Sequence, residues 1–475
     1  MSDGANNGDE GHFKNIIKTR DDIKPISFTV DNDVEDISKK FVLDEDAACF
    51  WAKPGDSFGP DKLRPRIEPW LTALCQSEHL SLLLGSGLTH SVHRLATDAA
   101  LPGMDSGDFG KFNDVINAEA KRSAKKCGRG EGNIEDQIHA ANELLRGLEI
   151  LGSSNKRTKK QADTLRKTLT NVLTFFSNSV FKGERNLINA DVAKREQAFN
   201  YLVSFMMSFA SRTGTRDRLN IFTTNYDRFI EAGAEVAGMH LLDRFVGTLS
   251  PIFRSSRLDL DMHYNPPGMR GEPRYLEGVA RFTKLHGSVD WVDCIQSIRR
   301  IAFPFGADNI QPYIAASGIK EANSMQLIVY PNAAKDRETA FYPYVELFRD
   351  FAAAACRPNH TLIAFGYSFG DEHINRVIGD MLTIPSTHLV VMSYDDPLNR
   401  IIQTYESLGR PAQISLLIGN HIGELQSLVD NYLPKPAIDR TTFRMAELLK
   451  ARFVTKQSES HDPMGTATTG EGGDV

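Results

Sequence analysis

Five short runs constrain the fold more than any other feature: LSLLLG (80–85), LNIFTTN (219–225), TLIAFGYS (361–368), HLVVMSY (388–394) and QISLLIG (413–419). Each is apolar at consecutive rather than alternate positions. A strand with one face in water alternates, whereas a strand covered on both faces does not, and parallel sheets with helices above and below are covered in that way. The stretches 134–151, 195–212 and 342–356 between them carry helical periodicity. Strands alternating with helices predict an α/β fold, a Rossmann-like open parallel sheet with helices on both faces. The region from about 110 to 215 is helical in pattern almost throughout, and reads as a helical insertion subdomain between the first two strands.

Outside this frame, residues 1–12 and 456–475 are rich in Gly, Ser, Thr and acids and lack the apolar area to order themselves. Residues 13–79 are expected to form an N-terminal helical or assembly segment, 80–430 the main domain, and 431–455 a C-terminal helical segment. A net charge of −6 gives no global reason to expect nucleic-acid binding. The one basic run, NKRTKKQADTLRK (155–167), reads first as a solvated helix face. Five cysteines occur without a C-x-x-C pair, which argues against a zinc ribbon and for a reducing compartment. No apolar run approaches the roughly 18 residues that span a bilayer, so a cytoplasmic location and no membrane association are expected.

Four stretches carry chemistry. In LLLGSGLTHSV (82–92) a buried strand runs into Gly85, Ser86 and Gly87 and then, by expectation, a helix, whose N-terminus favours a phosphate. In IFTTNYDRFIE (221–231) Thr224, Asn225 and Asp227 follow a second strand, at the strand end where open α/β sheets bind ligands. Taken alone, N-x-D there is equally a helix cap. In KLHGSVDW, His286 is the side chain best suited to exchange a proton near neutrality, although a single buried histidine is more often structural. In IAFGYSFGDEHINRVI (363–378) the strand ends at Gly366, and Ser368, Gly370 and Asp371 form a turn before a helix that Asp371 would cap.

The order G-S-G, T-x-N-x-D, H-G, G-x-S resembles that of the sirtuin (SIR2) superfamily, and G-Y-S-F-x-D-x-H-I resembles its bacterial SIR2-like branch, over roughly residues 75–425. The resemblance implies a SIR2-like NAD-binding domain and an NAD glycohydrolase, a hydrolase that releases nicotinamide from NAD as substrate. It implies that Gly85, Ser86, Gly87 and Thr89 cradle the pyrophosphate, that Asn225 orients the nicotinamide ribose and the attacking water, and that Asp227 holds the nicotinamide side or fixes its loop. Thr224 and Gly366 join the binding set. His286 would be a general base, and Ser368 and Asp371 would sit near the adenosine ribose. The zinc-binding cysteine module of deacetylase sirtuins is missing, so no zinc is expected and protein deacylation is disfavoured. Such proteins resemble oligomeric effectors of anti-phage defence (NAD depletion, abortive infection) held in check by a partner. The resemblance implies a homo-oligomer, a HerA-like ATPase partner, and nucleic acid reached through that partner. A non-catalytic NAD or ADP-ribose sensor and a DNA-directed nuclease subunit stay open as alternatives.

Overall fold

The computed structural model describes residues 14–47, 49–102, 105–126, 132–210, 216–264, 274–294, 297–316 and 342–435. The chain divides after Pro434 into two units. The expected tails at 1–12 and 456–475, and the expected helical segment 431–455 beyond Lys435, lie outside the described residues.

An eleven-stranded sheet organises the first unit. In chain order its strands are β1 (Asn15–Lys18), β2 (Ile26–Val30), β3 (Phe41–Leu43), β4 (Ser57–Phe58), β5 (His79–Leu84), β6 (Leu219–Thr223), β7 (His240–Leu242), β8 (Val279–Lys284), β9 (His360–Phe365), β10 (His388–Ser393) and β11 (Ile414–Ile418). Their spatial order is β4-β3-β2-β1-β11-β10-β9-β5-β6-β8-β7. All pairings from β11 to β7 are parallel, whereas β1 to β4 add an antiparallel flank through the β1–β11 pair. The fold is therefore Rossmann-like, with a mainly parallel sheet. The helices are α1 (Pro60–Cys75), α2 (Ser86–Thr97), α3 (Asn113–Lys126), α4 (Ile134–Gly152), α5 (Lys156–Asn189), α6 (Val192–Ala210), α7 (Phe229–Ala237), α8 (Gln311–Ala316), α9 (Tyr344–Ala355), α10 (Glu372–Leu382) and α11 (Arg400–Leu408).

The five apolar runs become β5, β6, β9, β10 and β11, and their continuous apolarity has a direct cause. Along β5, Leu80, Leu82 and Leu84 enter one core with Leu63, Leu88 and Phe205, while Leu83 enters a second with Leu347, Phe351 and Ile374. Side chains alternate across a strand, so both sets must be apolar. A third core joins α3, α4 and α5 through Ile116, Ile138, Leu165 and Phe176, and takes in Tyr226 from the loop after β6 and Val292 from the short strand Trp291–Asp293. The basic side chains of the 155–167 run are exposed near the start of α5.

Two parts of the chain depart from expectation. The described residues of 13–79 are not a helical segment: they hold β1 to β4, a 3₁₀ turn at Ile37–Lys39 and one α-helix, α1. These strands are two to five residues long, too short for periodicity to register, yet Ile17, Ile26, Phe28, Phe41 and Phe58 extend the first core. Strand β8, VARFTK, is disguised by Arg281 and Lys284. Lys284 is nevertheless buried, because its ammonium donates to Glu231 Oε1 at 2.9 Å and to the Asp227 carbonyl.

Strand β5 has β6 on one side and β9 on the other. The chain fills one half of the parallel sheet with β6, β7 and β8, then returns to build β9, β10 and β11 in the other. The carboxyl ends of β5 and β9 thus flank the topological switch point, where doubly wound sheets leave a ligand crevice.

Candidate active site at the switch point

The crevice begins with a backbone contact. Gly85 caps α2 in an extended conformation and Gly366 turns out of β9 with φ +60°. A Cβ on Gly366 would lie 2.6 Å from Gly87 Cα, and one on Gly85 would lie 2.4 Å from the Gly366 carbonyl oxygen. The Gly87 N–H donates to that same oxygen at 3.0 Å. These glycines let two loops touch without side chains between them. The amide of Gly87 is thus engaged within the protein. What remains for an anion is the first turn of α2 at Ser86, which lines the cavity. Gly366→Ala should lower stability by at least about 1–3 kcal/mol for the left-handed backbone alone, more with the clash, as read by thermal or urea unfolding. A melting curve unchanged from wild type would refute the packing argument.

The loop after β6 is tied to the start of α2. Thr223 Oγ1 donates to the Leu84 carbonyl at 2.8 Å. Asn225 Nδ2 donates to the Gly85 carbonyl at 2.9 Å and to Thr89 Oγ1 at 3.0 Å, and Thr89 Oγ1 donates to Asp227 Oδ2 at 2.9 Å. Asp227 Oδ1 accepts the Phe229 N–H at 3.1 Å, at the start of α7. Thr89 and Asp227 therefore tie the loop after β6 to the starts of α2 and α7, and both line the cavity. Both donors of Asn225 are in use, so its Oδ1 is what it can present to a ligand.

His286 and Asp371 meet across the sheet. His286 Nε2 lies 2.9 Å from Asp371 Oδ2, with the two residues 3% and 4% exposed. Asp371 Oδ1 meanwhile accepts the His373 N–H at 3.0 Å and caps α10. The residue assigned to the adenosine ribose is thus the histidine's partner. With the carboxylate ionised, Nε2–H donates and Nδ1 is the basic nitrogen. The buried histidines His360 and His388 contrast with this: each bonds a serine on a neighbouring strand at 2.9 Å, and burial, with Lys18 and Arg20 adding to it, pushes His388 down to about 4. Those two fill structural roles, whereas His286 faces a cavity. The turn 366–371 that delivers Asp371 is braced. Phe369 sits at φ +54°, its carbonyl accepts Asn375 Nδ2 at 2.9 Å, and Tyr367 OH donates to Asn375 Oδ1 at 3.0 Å.

Two adjoining cavities occupy the crevice. The smaller, about 260 Å³, is lined by Gly85, Ser86, Thr89, Thr224, Asn225, Asp227, His286, Gly366, Ser368 and Asp371, so all the sequence-predicted residues but Gly87 converge there. Gly87 lines the larger, about 840 Å³, which opens over the ends of β9 and β10. Ser86, His90, Gly366, Ser368 and Arg400 belong to both. Sequence reasoning missed His90, whose ring burial holds below the ordinary histidine range against the pull of Asp227 and Asp395. It also missed Arg400, and the Asp395–Asp396 pair after β10. Glu135, at the start of α4, and Tyr226 were missed too. The capping-box pattern N-x-x-D at Asn133 and Asp136 marks that helix start, but nothing in the sequence says the helix meets the site. Among the described residues no group of three or more His, Cys, Asp or Glu is arranged to hold a metal, and no helix is long and apolar enough to cross a membrane.

A crevice at the switch point of a doubly wound sheet is where open α/β sheets bind ligands, and here a histidine–carboxylate pair faces it. Residues 219–408 match the SIR2-like domain family, which supports an NAD-dependent enzyme as the class. The matched span contains Asn225, His286, Asp371 and Arg400, whereas Gly85–Thr89 and the helical insertion precede it. No curated protein matches the chain.

Proposed function

We propose that the chain is an NAD glycohydrolase that cleaves NAD to nicotinamide and ADP-ribose. The observation that carries this is the convergence of Asn225 and the His286–Asp371 pair in one cavity, beside a larger cavity that adjoins it at Ser86 and Arg400. The nicotinamide ribose would occupy the smaller cavity and the adenosine half the larger. Ser86 and Arg400 are placed to meet the negative pyrophosphate between them. Asn225 Oδ1 accepts from a ribose hydroxyl or the attacking water, and His286 takes a proton from the same groups. The glycosidic bond of NAD breaks through an oxocarbenium-like transition state, and the buried carboxylates of this cavity suit its developing positive charge.

Uncontrolled NAD loss is toxic, so such an activity needs a switch. In the reading proposed here the chain is an oligomeric anti-phage effector released by a partner, a HerA-like ATPase through which nucleic acid enters the system, and it works in the cytoplasm. Nicotinamide release from NAD by the purified protein, with and without that partner, tests the assignment. Cleavage that Asn225→Ala lowers by about 10²-fold or more is expected. NAD bound without nicotinamide release would favour a sensor, and O-acetyl-ADP-ribose from an acetyl-lysine peptide a deacylase.

A further inference from the structure

The lining of the smaller cavity has two sources. The strand ends supply its polar side. Leu101, Pro102, Asn133, Glu135, Phe176 and Val180 come from the segment between α2 and α6, the helical insertion and its approach. That side is apolar except at two positions. The Asn133 side chain is engaged in capping α4, where it accepts the Asp136 N–H at 3.1 Å. Among the described residues Glu135 is thus the one ionisable group that the insertion brings to the lining, and it is 6% exposed.

A buried carboxylate is costly unless its surroundings favour the charge. Here it stands in the first turn of α4, where the helix dipole favours it, and Tyr226 OH donates to its Oε1 at 3.0 Å. Tyr226 in turn links it to the reacting groups. It is the neighbour of Asn225 in the chain, and its ring lies 6.2 Å from that of His286 and packs edge-on against Phe176. Inverting glycosidases use a carboxylate, apart from the group that assists the leaving group, as the base that activates water across the sugar. Asp371 is already committed to His286 and to capping α10.

We infer that Glu135 holds and deprotonates the water that attacks the anomeric carbon of the nicotinamide ribose, so that the helical insertion makes this site a hydrolase; the inference rests on the NAD glycohydrolase reading. In this step the C1′–N bond breaks and its electron pair leaves with nicotinamide. The water oxygen bonds C1′, and its proton passes to the Glu135 carboxylate and then to solvent. His286 is left to the ribose hydroxyls.

The test compares two reactions that share bond cleavage and differ in water. One is ADP-ribose formation, and the other is exchange of labelled nicotinamide into NAD. Glu135→Gln keeps an acceptor for Tyr226 and removes the base. The expected result is a rise of about 100-fold in the ratio of exchange to hydrolysis, with Glu135→Asp recovering part of the hydrolysis. The ratio does not depend on how much of the variant is folded. An unchanged ratio in Glu135→Gln would overturn this inference alone and leave Glu135 a helix-terminal acid. A wild-type protein that, with and without the partner, neither hydrolyses NAD nor exchanges nicotinamide would overturn the NAD reading, and this inference with it.

Discussion

Asp371→Asn should lower kcat for NAD cleavage by about 10²–10⁴-fold, close to the loss expected for His286→Ala, with KM and melting temperature little changed. The argument turns on the two jobs of one side chain. Asp371 caps α10 and bonds His286 Nε2. Asparagine is as good an N-cap as aspartate, so α10 keeps its start and the turn 366–371 its shape. The histidine loses its acceptor, however. An amide presented to Nε2 from its nitrogen side makes Nε2 the acceptor and puts the proton on Nδ1, and the basic nitrogen is then the wrong one. A neutral amide also fails to stabilise the imidazolium that forms when the base takes a proton. Asp371→Ala should add a stability loss of about 1 kcal/mol from the missing cap. Steady-state kinetics beside thermal melts separates these effects. Should Asp371→Asn turn over NAD at the wild-type rate, Asp371 is a cap only and His286 works without it.

What could be read from the sequence divides along physical lines. The five central strands were legible because covering both faces forces an unbroken apolar run, and Leu82 and Leu83 must satisfy different cores. The positions of Asn225, Ser368 and Asp371 were legible because they lie within a few residues of a legible strand's end, and strand ends in a parallel sheet converge by construction; His286 stood out only as a histidine before a glycine. Strands β1 to β4 were not, since two to five residues hold too little pattern. Strand β8 was not, because its lysine is buried by partners over fifty positions away in the chain. The pairing of His286 with Asp371, and the arrival of Glu135 from the insertion, depend on residues 85 and 91 positions distant. Such pairings leave no trace in local spacing. The glycines show a subtler gap: G-S-G read as space for a phosphate, while the contact it makes is with Gly366.

The largest expected stability effect lies where the insertion grips the loop that carries Asn225 and Asp227. Arg228 follows Asp227 directly, and its guanidinium meets Glu184 of α5 through NH2 to Oε2 at 2.6 Å and Nε to Oε1 at 3.2 Å, while the Arg228 amide donates to the same carboxylate at 3.0 Å. Glu184 is 0% exposed. Arg228 also donates to the Phe303 and Pro304 carbonyls, and stacks 3.9 Å from the Phe303 ring centroid. Burial opposes the charge on Arg228, but Glu184 outweighs it and holds the guanidinium above its ordinary value. Glu184→Ala removes one partner and leaves a buried cation uncompensated, which costs about 3–5 kcal/mol, a large share of a total stability of about 5–15 kcal/mol. The exposed pair Arg166–Glu149, at 2.8 Å, has comparable geometry and should cost under about 1 kcal/mol when broken. Replacing Glu184 and Arg228 together by Leu and Met should restore much of the stability, because no charge is then stranded. Activity should not return with it, since the Asn225–Asp227 loop would lack the anchor that sets it against Glu135 and His286. Urea unfolding of the two singles, the Glu184–Arg228 double and the Glu149 control, each beside an NAD-cleavage assay, checks both halves. A loss for Glu184→Ala no larger than for Glu149→Ala would mean that the buried pair does not hold the loop.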